Sequence, residues 1–316
     1  MAARPTTSER RAQFGRFLLG TGGIGGIARA TGPGIGLSEA DGLALIDRAV
    51  EEGFTVIDTA DVYADGASER IVGAWLRAHP DAGVLVQTKT GITPHGPDLS
   101  PDRIRRQLQR SIAVLGRVDY YLAHQVDPDT PWSESLPVFS DAVENGLIRA
   151  YGLSNVDGEA LTAALDIADR LGLVPPELVQ NSYSLLVRGD DADVLPIVRE
   201  RGLIYTPYSP LATGVLAGRY SNGERPAVGS RASIASPAER YLADPRLMEK
   251  VREFDRLAES HAVSPAGLAL AWLVNHPVVT APIVAPSKES QWRSIEEAAE
   301  LEWSDALSSR LDAIFG

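Results

Sequence analysis

Eight times along this chain a short apolar run gives way to a stretch whose apolar residues recur every three to four positions. A strand buried on both faces reads as a continuous apolar run, whereas a helix packed on a sheet shows a single apolar stripe. The runs fall at Phe17–Gly22, Thr55–Thr59 and Val84–Thr88, then near 118–124, 148–154, 177–182, 203–208 and 279–284. In the first interval Ser38 and Asp41 resemble a capping box ahead of a face made by Leu43, Ile46 and Val50. Ile71, Val72, Trp75 and Leu76 form the second stripe. Ser100 and Pro101 suit an N-cap and a first helical position ahead of Ile104, Leu108, Ile112 and Leu115. Further helices are expected near 133–145, 157–171, 190–201, 245–261 and 287–299.

Strand and helix in strict alternation imply a parallel sheet, and eight units favour closure into a (β/α)8 TIM barrel over an open doubly wound sheet. The expected α/β architecture is a single domain spanning 1–316, with 1–16 as an N-terminal extension. A long loop after strand 7, from Ala212 to about Asp244, is rich in Gly, Ser, Pro and Arg and is expected to lie over the active face.

Composition narrows the chemistry. Thirty Lys+Arg against 42 Asp+Glu give a net charge of −12, the wrong sign for a general nucleic-acid binder. A chain without cysteine has no disulfide, thiolate nucleophile or Cys-ligated metal. The first residues lack the apolar core of a signal peptide, and no apolar run approaches the ~20 residues that span a bilayer. A soluble cytoplasmic protein with no membrane partner is expected. The five histidines, at 79, 95, 124, 261 and 276, lack metal-ligand spacing, so no metal site is expected.

Two motifs point elsewhere on first inspection. Gly20 to Gly25 satisfies G-x-G-x-x-G, but the residues that follow are too rich in Gly and Pro to open the helix a dinucleotide fingerprint needs. Gly152-Leu153-Ser154 begins like a nucleophile elbow, yet Asn155-Val156 lacks the second glycine.

Barrel active sites lie at the C-terminal ends of the strands. Those ends carry Asp58, with Tyr63 in the loop beyond it, then Lys89, His124, Ser154-Asn155, Gln180 and Tyr208. Each alone has a plain explanation as cap, core or surface residue. Their joint placement on successive strand ends does not. Lysine is also scarce, occurring only at 89, 250 and 288, so a lysine closing an apolar strand is not background charge. A carbonyl that accepts hydride develops negative charge on oxygen and needs a proton there. A phenol near an ammonium can give that proton, an aspartate can keep the lysine charged, and an imidazole can orient the carbonyl oxygen.

At these residues the sequence resembles the aldo-keto reductase superfamily. The matching segments are GTGGIGG at 20–26, DTADVYADGASERIVG at 58–73, QTKTG at 87–91, LAHQVD at 122–127, YGLSN at 151–155, QNSYS at 180–184 and YSPLATGVLAGRY at 208–220. The last resembles the branch that includes potassium-channel β-subunits and bacterial relatives. The resemblance implies that Asp58, Tyr63, Lys89 and His124 form a catalytic tetrad. It implies that Ser154, Asn155 and Gln180 hold a nicotinamide carboxamide and that Tyr208 stacks on its ring. Thr21, Ser209, Leu211, Gly214, Arg219, Arg231, Ser287, Lys288 and Gln291 fall on other cofactor-contact positions.

The family usually has a glycine and then Glu-Asn near the adenine, where this chain has Ala285, Ser294 and Ile295. A lysine beside a hydroxyl at 287–288 suits a 2′-phosphate, so NADPH is the expected cofactor, with NADH possible. The implied activity is NAD(P)H-dependent reduction of an aldehyde, ketone or keto-sugar, a small-molecule carbonyl substrate. The alternatives are reduction of a sugar-nucleotide enone, and a regulatory or redox-sensing subunit using bound NADPH. The substrate loops carry no diagnostic chemistry; Trp132 reads equally as an aromatic wall or as core. Nothing in the sequence sets the oligomeric state.

Overall fold

The computed structural model describes residues 12–220 and 238–316, apart from 28 and 33. Eight parallel strands form one sheet: β1 Leu18–Gly20, β2 Val56–Asp58, β3 Leu85–Thr90, β4 Tyr120–Ala123, β5 Ala150–Ser154, β6 Leu178–Gln180, β7 Ile204–Tyr205 and β8 Ile283–Val284. Their order is β8-β1-β2-β3-β4-β5-β6-β7. Register runs Leu19 to Ile57 to Val86, and Lys89 lies opposite Leu122. The ring closes between β7 and the approach to β8, where Thr280 N donates to Tyr205 O at 2.8 Å and Ile283 N to Pro207 O at 2.9 Å. The Thr280 hydroxyl accepts from Tyr205 N at 3.1 Å. Eight parallel strands curled into a barrel-like sheet are the expected architecture.

Side chains alternate across each strand, and the alternation makes two cores. Leu18, Val56, Leu85, Tyr120, Leu122, Ala150, Leu178, Ile204 and Ile283 fill the barrel interior. Leu19, Ile57, Val86, Tyr121, Leu153, Val179 and Tyr205 face the surrounding helices. Phe14 is fully buried in the interior cluster, its ring 5.2 Å from that of Tyr120. The segment just before β1 therefore fills the base of the barrel.

The helices are α1 Glu39–Glu51, α2 Ala67–Ala78, α3 Pro101–Leu115, α4 Trp132–Glu144, α5 Gly158–Leu171, α6 Val194–Arg201, α7 Ala238–Leu242, α8 Pro245–Ser260, α9 Pro265–Asn275, α10 Glu289–Glu300 and α11 Asp305–Phe315. Ser38 caps α1, its Oγ accepting from Asp41 N at 3.2 Å and donating to Asp41 Oδ2 at 2.7 Å. The box thus closes side chain to side chain. Leu45, Ile46 and Ala49 are its buried residues, while Leu43 and Val50 are only half-buried. Ser100 takes the N-cap position of α3 with Pro101 after it, but its hydroxyl turns back to Asp98 Oδ1 at 2.6 Å. The expected side-chain cap is absent because the hydroxyl is turned toward Asp98 and not toward the amides of the first turn.

Three helices escape the sequence reading: α7, α9 and α11. Helix α9 is buried continuously from Ala266 to Leu273, so it shows no stripe. Helix α11 follows the last expected helix and is capped by Ser304. The loop expected from Ala212 contains a kinked turn at Ala212–Ala217 and ends in α7; 221–237 lie outside the described residues. Trp132 belongs to the core. Among the described residues no helix is long and apolar enough to cross a membrane.

Phe14→Ala is expected to lower unfolding free energy by about 3–5 kcal/mol, the usual range for removing a buried phenylalanine. Urea denaturation checks it, and a loss under about 1 kcal/mol would mean the base tolerates an empty ring site.

Candidate active site

The site is organised around Asp58, the last residue of β2, which is only 3% exposed. Its Oδ2 accepts from Lys89 Nζ at 2.8 Å, and its Oδ1 accepts from Gln87 Nε2 at 2.7 Å and Gln180 Nε2 at 3.0 Å. Lys89 is fully buried. Its ammonium also donates to Thr59 O at 2.8 Å and to the Tyr63 hydroxyl at 3.1 Å, so all three donors have partners. Burial pulls the lysine pKa down, but attraction to Asp58 and Tyr63, with the hydrogen bonds to both, carries it above its ordinary value. Lys89 is therefore a fixed cation inside the barrel. Gln87 was missed in the sequence, although alternation places it on the same inward face as Lys89.

Tyr63 opens a one-turn 3-10 segment, Tyr63–Gly66, in which Ala64 and Asp65 are left-handed at φ 50° and 53°. Such residues persist only where their surroundings over-determine them. The glycine run supplies that support: a Cβ on Gly26 would lie 2.3 Å from Ala30 O and 3.0 Å from Ala64 Cβ. The run opens no helix; it forms a folded loop bridged at Ile24–Leu37 and Ile27–Ala30. Its glycines permit close approach to the tyrosine turn.

The ring of His124 meets that of Tyr63 edge-on, with centroids 5.8 Å apart and planes at 80°. Burial, and then the charge on Lys89, push its pKa down to about 3, so the imidazole is neutral. Its Nδ1 is buried without a hydrogen-bond partner. The Lys89 ammonium sits 4.8 Å from the centre of the Tyr63 ring. A phenol held by an ammonium, beside a neutral imidazole, can deliver a proton to an oxygen that gains negative charge.

The next strand ends extend the same network. Ser154 Oγ donates to Gln180 O at 2.6 Å, Asn155 Nδ2 to His124 O at 2.7 Å, and the Tyr208 hydroxyl to Asn155 Oδ1 at 2.6 Å. Asn155 Nδ2 also meets Ser154 Oγ at 3.1 Å, so Asp58, Tyr63, Lys89, His124, Ser154, Asn155, Gln180 and Tyr208 are joined in one network. Tyr208 and Ser209 are half-buried, as are Leu211 and Gly214 beyond them. Six of the seven left-handed non-glycine residues among those described, Ala64, Asp65, Asn155, Ser209, Ala212 and Thr213, lie in loops following strands β2, β5 and β7.

The remaining positions divide. Thr21 is fully buried, its hydroxyl donating to Asp58 O at 2.9 Å and accepting from Ser68 Oγ at 2.8 Å. Arg219 is exposed, and Arg231 lies outside the described residues. Ser287, Lys288 and Gln291 form a separate cluster at the start of α10. There Gln291 Oε1 accepts from Ser287 N at 2.6 Å and Lys288 N at 3.1 Å, while Lys288 is exposed. Ser294 and Ile295 are buried, with Ser294 Oγ donating to Ser290 O at 3.1 Å.

Comparison with known proteins agrees with this architecture. The family model for the aldo/keto reductase family matches residues 19–315. A probable voltage-gated potassium channel subunit beta from Oryza sativa subsp. japonica is 34% identical over 261 residues, covering 78% of each chain. Protein Tas from Escherichia coli (strain K12) is 30% identical over 313 residues, covering 88% of this chain and 90% of its own. The structure of a glycerol dehydrogenase from Gluconobacter oxydans superposes with a TM-score of 0.80 at 27% identity, covering 95% of this chain and 90% of that one. With its eight-stranded barrel and the match along nearly its whole length, the chain belongs to the aldo/keto reductase family and is an oxidoreductase.

Proposed function

We propose that this oxidoreductase reduces the carbonyl of a small aldehyde, ketone or keto-sugar with a reduced nicotinamide cofactor, NADPH in preference to NADH, and that Tyr63 gives the proton. The observation that carries this is the Lys89 ammonium, held at 2.8 Å by Asp58 and donating at 3.1 Å to the Tyr63 hydroxyl.

The residues present suit the cofactor. Ser154, Asn155 and Gln180 offer hydroxyl and amide groups at adjacent strand ends, the complement of a carboxamide edge. Beside them the half-buried ring of Tyr208 offers a flat face. Ser287 and Lys288 are exposed at the N-terminus of α10, where a hydroxyl, an ammonium and the helix end all favour a phosphate. When bound, the cofactor supplies the hydride.

The chain's own residues then act on the carbonyl oxygen. His124, neutral over the working pH range, donates a hydrogen bond from one ring nitrogen and steers the oxygen toward Tyr63. The Tyr63 hydroxyl transfers its proton to that oxygen. Lys89 stabilises the phenolate left behind, and Asp58 with its two amide partners keeps Lys89 charged and still. The complete set of four favours turnover over a purely regulatory or redox-sensing use of the cofactor.

Tyr63→Phe keeps the ring and removes the proton donor. Carbonyl reduction is expected to fall by about 10²–10⁴-fold, the range for general acid–base catalysis, with NADPH affinity retained. Measuring both on one preparation decides it: near-normal reduction removes Tyr63 as the acid, and lost cofactor binding makes its role structural. Lys288→Ala is expected to weaken NADPH binding more than NADH binding in a fluorescence titration, because only NADPH carries the 2′-phosphate. Equal losses would remove Lys288 from that contact.

A further inference from the structure

Three strand ends meet at one residue that the proposed reaction does not use. Strands β5 and β6 pair in parallel as far as Ser154 and Gln180. Beyond that pair, Asn155 N donates to Gln180 O at 3.2 Å. Asn155 is left-handed, at φ 56°, a conformation in which a strand does not continue. Val156, the next residue, is nonetheless buried. A buried peptide that has left its ladder needs other partners for its N–H and C=O.

Asn181, the first residue beyond β6 and only 5% exposed, supplies both. Its Oδ1 accepts from Val156 N at 3.1 Å, and its Nδ2 donates to Val156 O at 2.7 Å. Nδ2 also donates to Asp190 Oδ2 at 2.9 Å, and the same carboxylate oxygen accepts from the Tyr205 hydroxyl at 2.6 Å. The side-chain amide thus does for Val156 what a neighbouring strand would do, with one acceptor and one donor set against one residue. Only this orientation of the amide suits Val156, and Asp190 favours the same one. Tyr205 faces the surrounding helices, so the clamp is anchored in the outer core.

The backbone of Asn181 reaches the third strand end. Tyr208 N donates to Asn181 O at 2.9 Å, and a parallel bridge between Ser182 and Tyr208 continues the pairing. One residue therefore holds the peptide that follows Asn155 and, on its other side, Tyr208. The side chains of those two meet at 2.6 Å, Tyr208 hydroxyl to Asn155 Oδ1. In the cofactor reading given above, on which this inference rests, they are the carboxamide contact and the stacking ring. We propose that Asn181 is a positioning residue for the nicotinamide end of the cofactor: its amide fixes Asn155 through Val156, its carbonyl fixes Tyr208, and together they set the spacing between the two contacts.

Asn181 acts at one end of the dinucleotide only, since Ser287 and Lys288 form a separate cluster on α10. Asn181→Ala removes both side-chain bonds to Val156 and keeps the backbone bond to Tyr208. NADPH binding in a fluorescence titration is expected to weaken on the order of tenfold, with the loss of the hydrogen bonds that hold the contact in place. Binding of 2′-phospho-ADP-ribose, which lacks the nicotinamide, is expected to stay within about twofold by calorimetry, because no bond at its end is removed. A general loss of structure would weaken both ligands alike. Asn181→Ser is the milder variant: its short hydroxyl leaves room for water beside Val156, and the same selectivity is expected with a loss of about threefold. Hydrogen exchange reads the clamp without any cofactor. The Val156 amide is expected to be protected in the native chain and to lose that protection in Asn181→Ala. The amide of Thr206, bonded to Val179 O, should keep its own.

An unprotected Val156 amide in the native chain, equal weakening of NADPH and 2′-phospho-ADP-ribose, or unchanged NADPH binding in both variants would each overturn the proposal. If the native chain binds neither NADPH nor NADH, the cofactor reading fails and the proposal falls with it. If the native chain binds NADPH and reduces carbonyls but gives any of those three results, the proposal fails alone.

Discussion

The buried pair of Asp58 and Lys89 is the interaction on which this molecule turns. Two opposite charges out of water stabilise a fold only when every remaining lone pair and proton is satisfied. Here three elements meet that condition: Gln87 from the same strand as the lysine, Gln180 from across the barrel, and the Thr59 carbonyl at the end of β2. The fourth satisfying group is the Tyr63 hydroxyl. The requirement that makes the pair tolerable in the interior is thus the one that brings the Tyr63 hydroxyl, the proposed proton donor, beside a cation. Structure and chemistry share a single set of hydrogen bonds.

The mouth of the barrel is also where the backbone is least relaxed. Left-handed non-glycine residues gather in the loops after β2, β5 and β7, which carry Tyr63, Asn155 and Tyr208. Such conformations each cost on the order of 1–3 kcal/mol and persist only under support from neighbours. Around Tyr63 that support is visible on two sides, from the glycine loop pressed against Ala64 and from Asp61 bonded to Thr90. A segment that resembles a nucleotide fingerprint in sequence acts here as a backing plate for the turn that carries Tyr63.

Much of this was legible in the residues. The alternation of runs and stripes located all eight strands, and the strand ends named Asp58, Lys89, His124, Ser154, Asn155, Gln180 and Tyr208 before any distance was known. Other features were hidden for physical reasons. Helix α9 is wrapped by protein on every side, so it has no polar face to set its period. Gln180 suggested a ligand contact, whereas its amide also reaches Asp58 across the barrel, a pairing set by closure and not by spacing. Phe14 lies in a segment with no periodicity, and only the closed ring reveals it as the floor. Asp61 was read as part of a motif, while its partners come from elements far along the chain.

The seam of the barrel has a consequence for how the chain is made. Strand β1 is flanked by β2 on one side and by β8 on the other, so one of its edges waits for residues 283–284. Synthesis from the N-terminus delivers Asp58, Tyr63, Lys89 and His124 long before that partner exists. During this interval the edge of β1 offers unpaired amides and carbonyls, the template on which strands of other chains can dock. The last strand therefore does more than finish the architecture: its two residues, Ile283 and Val284, retire the longest-lived sticky edge of the nascent protein.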